Sequence, residues 1–273
     1  MTLLVSWFAK DNHGVTSAYI MSESRLSLIE NNNTKKHFYD SCRKVFASEK
    51  YPDIIGYCGD VLFPSLVINQ LLQIIDKGLL FKDSDNAKKR YKIFKDKLIS
   101  EFLVYPQEII YPIELIYINK ELSNSSYPSF YCHNLKLNSH QIISEDHIEF
   151  PLISKTLYIY GSGTNEFKKE YALHQDRKNK NTSRNIFHSF IKTLSITQEP
   201  TCGGPPQLVG LYRKPKTNGK VFGIIYKKAH YILGTRITRG KDFNVIEWRN
   251  ENFERTDGNT RRRIKKAKKQ PID

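Results

Sequence analysis

Thr2 stands directly behind the initiator Met1. Threonine is small enough for a methionine aminopeptidase to remove Met1, which would leave a hydroxyl and a free α-amine on one residue. The hydroxyl could then attack a carbonyl while its own amine took the proton, because a terminal amine titrates at about 7.7–8.0. A lysine held at that hydroxyl would lower its pKa and stabilise the oxyanion. A carboxylate beside the lysine would keep it charged. Other chemistries fit less well. Cys132 and His133 are adjacent, so on a strand they point to opposite faces. The eight histidines show no metal-ligand spacing. Gly161-x-Gly163 lacks the third glycine of a dinucleotide fingerprint, since Glu166 stands in its place. The expectation is that the chain uses no cofactor and no metal.

Elements to hold such residues follow from pattern. Leu3–Ala9 is a β-rich run, Lys10 to Gly14 is a turn, and Val15–Met21 completes a hairpin. After an Asn-rich loop at Asn31–Asn33, Arg43–Ala47 and Ile54–Cys58 suggest a second strand pair, broken by Gly59-Asp60. Pro64 suits the first turn of a helix carrying Leu66, Val67, Leu71, Leu72, Ile74 and Ile75, with Gly78 as terminator. A second helix from about Asp83 to Phe102 has the stripe Tyr91, Ile93, Phe94, Leu98 and Phe102. Strands are expected at Ile109–Ile118, Ser129–Cys132 and Leu157–Tyr160. Helical sequence follows Gly161-Ser162-Gly163-Thr164, with a clear helix at Thr182–Leu194. Leu208–Tyr212, Val221–Tyr226 and Tyr231–Leu233 return to strands. Runs of strands separated by pairs of helices predict an α+β fold: two antiparallel sheets face to face with a helix pair outside each, an αββα sandwich.

Several short segments then line up in order. Ile20-Met21-Ser22-Glu23-Ser24-Arg25 closes the first hairpin with an acidic residue and an arginine. Arg43-Lys44-Val45-Phe46 opens the third strand, although Lys35, Lys36 and Arg43 rival Lys44 on spacing alone. Gly56-Tyr57-Cys58-Gly59-Asp60 precedes the first helix. Tyr160-Gly161-Ser162-Gly163-Thr164 and Glu199-Pro200-Thr201-Cys202-Gly203-Gly204 occupy the last two places. Together with Thr2 they resemble the proteasome β subunits of the N-terminal-nucleophile hydrolases over roughly residues 2–235. The resemblance implies hydrolysis of peptide or other amide bonds through an ester on Thr2. It assigns Lys44 to tuning the nucleophile, Glu23 and Glu199 to charge partnership, and the Gly59 N–H to the oxyanion hole. Ser162 and Cys202 would position the amine and its water. Glu23 and Glu199 take places the family gives to aspartate, Cys202 replaces a serine, and Leu3 stands where the family often repeats threonine. The family also implies a homo-oligomer, often a ring, working with an ATP-driven unfoldase.

Composition bounds the remaining classes. With 39% hydrophobic and 12% aromatic residues in 273, the chain can fold and bury a core. No run of 18 apolar residues suggests a membrane span, and the N-terminus lacks the basic region of a signal peptide. The four cysteines (Cys42, Cys58, Cys132, Cys202) form no C-x-x-C pair, which fits a reduced, cytoplasmic protein. The net charge of +15 is uneven. Residues 1–150 hold 17 basic and 18 acidic residues, and 151–273 hold 26 and 10. Residues 1–250 are expected to form the hydrolase-like domain and 251–273 a basic tail. The tail and the basic half offer a competing function, contact with nucleic-acid phosphates. A solvated tail on an inert proteasome-like scaffold is a further alternative.

Overall fold

The computed structural model describes residues 2–29, 36–106, 112–122, 127–138, 141–148, 154–173 and 180–267. The expected Asn31–Asn33 loop, the start of the Ile109–Ile118 strand, and the end of the basic run lie outside them. Strands β1 (Leu4–Asp11) and β2 (Gly14–Ser22) form the first hairpin, followed by β3 (Leu26–Ile29), β4 (Lys36–Tyr39), β5 (Val45–Ala47) and β6 (Asp53–Cys58). Helices α1 (Leu62–Asp76) and α2 (Ala87–Leu103) follow. Then come β7 (Ile113–Lys120), β8 (Phe130–Asn138), β9 (Gln141–Ile148) and β10 (Lys155–Tyr160). Helices α3 (Thr164–Leu173) and α4 (Ser183–Ile196) lead to β11 (Gln207–Tyr212), β12 (Lys220–Tyr226), β13 (Ala229–Ile232) and β14 (Thr235–Ile237). The chain ends its regular structure with β15 (Glu247–Arg249) and β16 (Arg255–Thr256).

The larger sheet runs β10-β1-β2-β11-β12-β13-β14, with β15 and β16 attached through β12. The second runs β5-β6-β7-β8-β9, and β3 and β4 pair separately. The pairings are antiparallel except β12 with β15. The period of two decides which core each strand feeds. Leu4 and Phe8 of β1 share one buried cluster with Ile54 and Cys58 of β6 and Ile116 and Ile118 of β7. That cluster draws on both sheets. The intervening Leu3, Val5 and Trp7 pack instead with Ile186, Phe187 and Phe190 of α4. Ile55, Tyr57, Leu115 and Tyr117 turn to α1 and α2, against Phe63, Ile68, Leu71, Phe94 and Leu98. The protein is thus a mixed α/β fold built on antiparallel sheets with helices packed on them.

Local chemistry explains most boundaries. Gly78 has φ +73 and its N–H bonds to the Ile75 carbonyl, closing α1 with the left-handed cap that glycine allows. The α1 stripe is shifted: Leu66 is 50% exposed and Ile74 only partly buried, while Phe63 and Ile68 face the core. Helix α2 starts later than Asp83 because Asn86 is the cap, its side chain accepting from the Lys89 N–H at 2.8 Å. Thr182 caps α4 in the same way. The short strand expected at Ser129–Cys132 extends to Asn138 and pairs with β9. The described chain from 251 to 267 is not detached. Phe253 is buried among Trp7, Tyr19 and Phe187, and β16 pairs with β15. The aromatic ring and the two-residue strand anchor this stretch, which charge alone does not reveal.

Candidate functional site

Thr2 precedes β1, which is flanked by β2 and β10. Its backbone is gripped by the turn after β10. The Gly163 N–H donates to the Thr2 carbonyl at 3.4 Å. Gly161 has φ +95, and a Cβ there would stand 1.8 Å from the Thr2 carbonyl oxygen. Only glycine allows that approach. Thr2 is 1% exposed.

Lys44, just ahead of β5, is 0% exposed and its ammonium meets three oxygens. It donates to Thr2 Oγ1 at 2.7 Å, to Glu23 Oε1 at 2.5 Å and to the Arg25 carbonyl at 2.6 Å. An ammonium has three N–H donors, so all are used. In that state Lys44 cannot take a proton from Thr2; it can only stabilise negative charge there. Glu23, also 0% exposed, spends its second oxygen on the backbone. Glu23 Oε2 accepts from the Arg25 N–H at 2.5 Å and from the Gly203 N–H at 3.2 Å. A buried ion pair persists only when its remaining lone pairs and protons are satisfied, and here they are.

A polar frame fixes this pair. Gln207, 0% exposed at the head of β11, accepts from the Lys44 N–H at 3.0 Å. Its amide nitrogen donates to the Glu23 carbonyl at 3.0 Å and the Cys42 carbonyl at 2.7 Å. Arg25 forks onto Asp40 with bonds of 2.7 and 2.9 Å and reaches the Pro200 carbonyl at 3.0 Å. The Asp40 hydrogen bonds raise the Arg25 pKa, and Arg25 lowers that of Asp40. The clasp ties the end of β2 to both β4 and the loop at 200.

The sequence candidates fall into three groups. Thr2, Glu23 and Lys44 are brought together. Ser162, Glu199 and Cys202 form a neighbouring group with different partners from those expected. Glu199 Oε1 accepts from the Thr201 hydroxyl at 2.5 Å and the Thr201 N–H at 3.0 Å, and the Ser162 hydroxyl lies 3.0 Å from that of Thr201. Since Thr201 uses its proton on Glu199, Ser162 is the donor to Thr201. Cys202 is buried beside Gly163, where an added Cβ would stand 3.0 Å from its sulfur. Burial, and then the nearby Glu23 charge, push the Cys202 thiol up to about 12. At neutral pH it is a thiol and no rival nucleophile. Gly59, the third group, follows β6 with φ +101, and its missing Cβ would collide with the Pro112 carbonyl at 1.8 Å. The approach of β7 is therefore reason enough for this glycine.

Gln207, Asp40 and Thr201 were missed from sequence. Gln207 carried a usable signal: a polar residue opening the apolar run Leu208-Val209-Gly210-Leu211. Asp40 carried none, since nothing in the sequence pairs it with Arg25, and Thr201 sits inside the Glu199–Gly204 segment, where its bonds to Glu199 two residues back and to Ser162 leave no distinguishing pattern. Cys132 and His133 do point apart, Cys132 into the core between the sheets and His133 flat on Tyr91 with ring centroids 3.7 Å apart.

No protein-family model and no curated protein matches the chain. Three solved structures similar to it are HslV from Trypanosoma brucei, BPH from Thiobacillus denitrificans in complex with epoxomicin, and an Anbu (Gly-1) mutant from Hyphomicrobium sp. strain MC1. HslV is 11% identical with a TM-score of 0.44, over 77% of this chain and 99% of the other. BPH is 12% identical with a TM-score of 0.46, over 78% and 100%. The Anbu mutant is 11% identical with a TM-score of 0.47, over 81% and 86%.

Proposed function

We propose that the protein is a threonine-type amide hydrolase with the four-layer αββα arrangement of the N-terminal-nucleophile hydrolases. The single observation that carries this reading is the buried Lys44 ammonium, 2.7 Å from Thr2 Oγ1 and 2.5 Å from Glu23 Oε1. A hydroxyl, a fixed cation and a carboxylate buried together 42 residues apart in sequence are costly to assemble for stability alone.

Removal of Met1 would turn the Thr2 amide nitrogen into a free amine. The oxygen would then bond to the carbonyl carbon of a peptide amide while its proton passed to the amine. Lys44 would stabilise charge on the attacking oxygen, and the Gly59 N–H is proposed to receive the carbonyl oxyanion. The amine would next protonate the leaving nitrogen, breaking the C–N bond and leaving an ester on Thr2. A water molecule activated by the same amine would hydrolyse it. Ser162, Glu199 and Cys202 would hold the turn and loop that flank the amine. A peptide or protein substrate, a ring-forming homo-oligomer and an ATP-dependent unfoldase complete the proposal, with the cytoplasm as its setting. No helix among the described residues is long and apolar enough to cross a membrane.

The test has two parts. Intact mass should show Met1 absent from the mature protein, and hydrolysis of fluorogenic peptide amides should vanish in Thr2→Ala. The reading fails if Met1 is retained or if Thr2→Ala hydrolyses as fast as the native chain. Retained Met1 would leave an inert scaffold of the same fold.

A further inference from the structure

We infer that the face formed by the β12–β13 turn, β14 and the chain from 258 to 266 docks on a nucleic-acid duplex through its phosphates. Residues 226–241 and 258–266 contain Lys227, Lys228, Arg236, Arg239, Lys241, Arg261, Arg262, Arg263, Lys265 and Lys266, and no Asp or Glu. The fold joins the two stretches. Arg261 Nη1 donates to the Lys228 carbonyl at 2.8 Å, and His230 Nε2 lies 2.7 Å from the Gly258 carbonyl. Phe243 stacks on His230 with ring centroids 4.4 Å apart, bringing the loop that follows Lys241 against the same strand. Arg236 faces Tyr231 across the β13–β14 pair.

These cations are not spent on the protein's own carboxylates. Among the described residues, only Arg263 of the ten pairs with one, Glu254 at 3.9 Å. All but Arg263 are exposed. Five of the ten are arginines, whose planar fork suits phosphate oxygens. Backbone conformation points the same way. Lys227 and Lys228 occupy the two central positions of the β12–β13 turn with φ 46 and 63, and Arg261 has φ 59. Such a hairpin turn is easiest for Asn-Gly, and lysines there are strained.

A duplex fits better than a single strand. Tyr226 is buried and Tyr231 packs on it, so neither offers a flat platform for an unpaired base. What the face presents is an excess of fixed positive charge over the bordering Asp242, Glu251 and Asp257, and a duplex carries one negative charge per about 1.7 Å of axis. The inference is independent of the Thr2 reading.

The experiment is fluorescence anisotropy of the full chain with a labelled 20-base-pair duplex DNA between 50 and 200 mM salt. The comparison is a triple variant, Lys227→Asn, Lys228→Gly and Arg261→Asn. These replacements suit left-handed φ better than the native residues, so weaker binding cannot be charged to a broken turn. The expected slope of log affinity against log salt falls by about 2.7 in the variant, about 0.9 for each phosphate no longer neutralised. At 100 mM salt the variant should bind at least ~10-fold more weakly, since each charge-assisted hydrogen bond is worth about 1.5–3 kcal/mol. The inference is overturned by no binding at 50 mM salt, or by an unchanged variant. It is equally overturned if single-stranded DNA, polyglutamate or phosphatidylserine vesicles bind more tightly than the duplex.

Discussion

A residue's chemistry depends on what surrounds it, and Cys202 shows the extent. In sequence it stands where the resemblance places a serine, and a thiol near a carboxylate and a lysine could be read as reactive. In the fold its 2% exposure and the Glu23 charge raise its pKa from 9 to about 12. The folded thiol therefore keeps its proton where the unfolded one has lost it. Stability present below pH 9 should decline as pH rises towards 12, because unfolding then releases a proton. The slope from this one group is at most about 1.4 kcal/mol per pH unit. Cys202→Ala should flatten the fall in unfolding free energy between pH 9.5 and 10.5, measured in urea, by about 1 kcal/mol. Equal slopes in the two proteins would show that Cys202 ionises normally. Three of the seven sequence candidates, Thr2, Glu23 and Lys44, do meet at one point, and it is Lys44 rather than Arg43 that makes the contact. Spacing could not make this choice, because only side-chain direction on the strand separates Lys44 from Arg43. Arg43 instead lies over the Phe46 ring at 4.3 Å.

At the scale of elements, strong patterns were readable and weak ones were not. The first hairpin, the cores of α1, α2 and α4, and the order of strands and helices follow from period, caps and breakers. β9 was invisible because Gln141–Ile148 mixes Ser144, Glu145 and Asp146 with its apolar residues and gains its strand state from pairing with β8. β14, β15 and β16 have two or three residues each, too short to show a period. Glycines at element ends were legible as breakers, but not as packing surfaces. Gly161 shows the difference against Gly14. Both have left-handed φ, +95 and +111, but a Cβ at Gly14 meets nothing within 4 Å, whereas one at Gly161 meets Thr2 O at 1.8 Å. Gly14→Ala should cost only the backbone strain, about 1–2 kcal/mol. Gly161→Ala should cost that plus displacement of the Thr2 backbone, at least about 1 kcal/mol more. Denaturant titration of both variants decides it: equal losses would mean that the turn after β10 does not hold Thr2.

At the scale of the whole molecule, charge and burial divide the C-terminal stretch in a way that composition concealed. The basic run that begins at Arg261 reads as a solvated tail, but an apolar anchor sits just upstream of it. Phe253 is 6% exposed, with ring centroids 4.8 Å from Phe187 and 5.5 Å from Tyr19. The Arg249 guanidinium lies 4.7 Å from its ring, and Nη1 of Arg249 donates to the Phe253 carbonyl at 3.3 Å. Phe253 also has φ 60, a conformation unfavourable for a bulky residue, by about 1–2 kcal/mol. The ring's burial, worth about 1.5–3 kcal/mol, offsets that strain and fastens β15 and β16 beside α4. The basic face is thereby carried on the folded body rather than on loose chain, which gives its cations a fixed arrangement. Phe253→Ala should lower the unfolding free energy by about 3–5 kcal/mol, less about 1 kcal/mol if the loop relaxes its φ. Lys265→Ala with Lys266→Ala, both exposed, should change it by no more than about 0.5 kcal/mol. Thermal and urea unfolding of the two variants against the native chain measure the contrast. A Phe253→Ala protein as stable as the native one would mean that the segment beyond residue 250 hangs free of the core, and the basic face would then lose its fixed geometry.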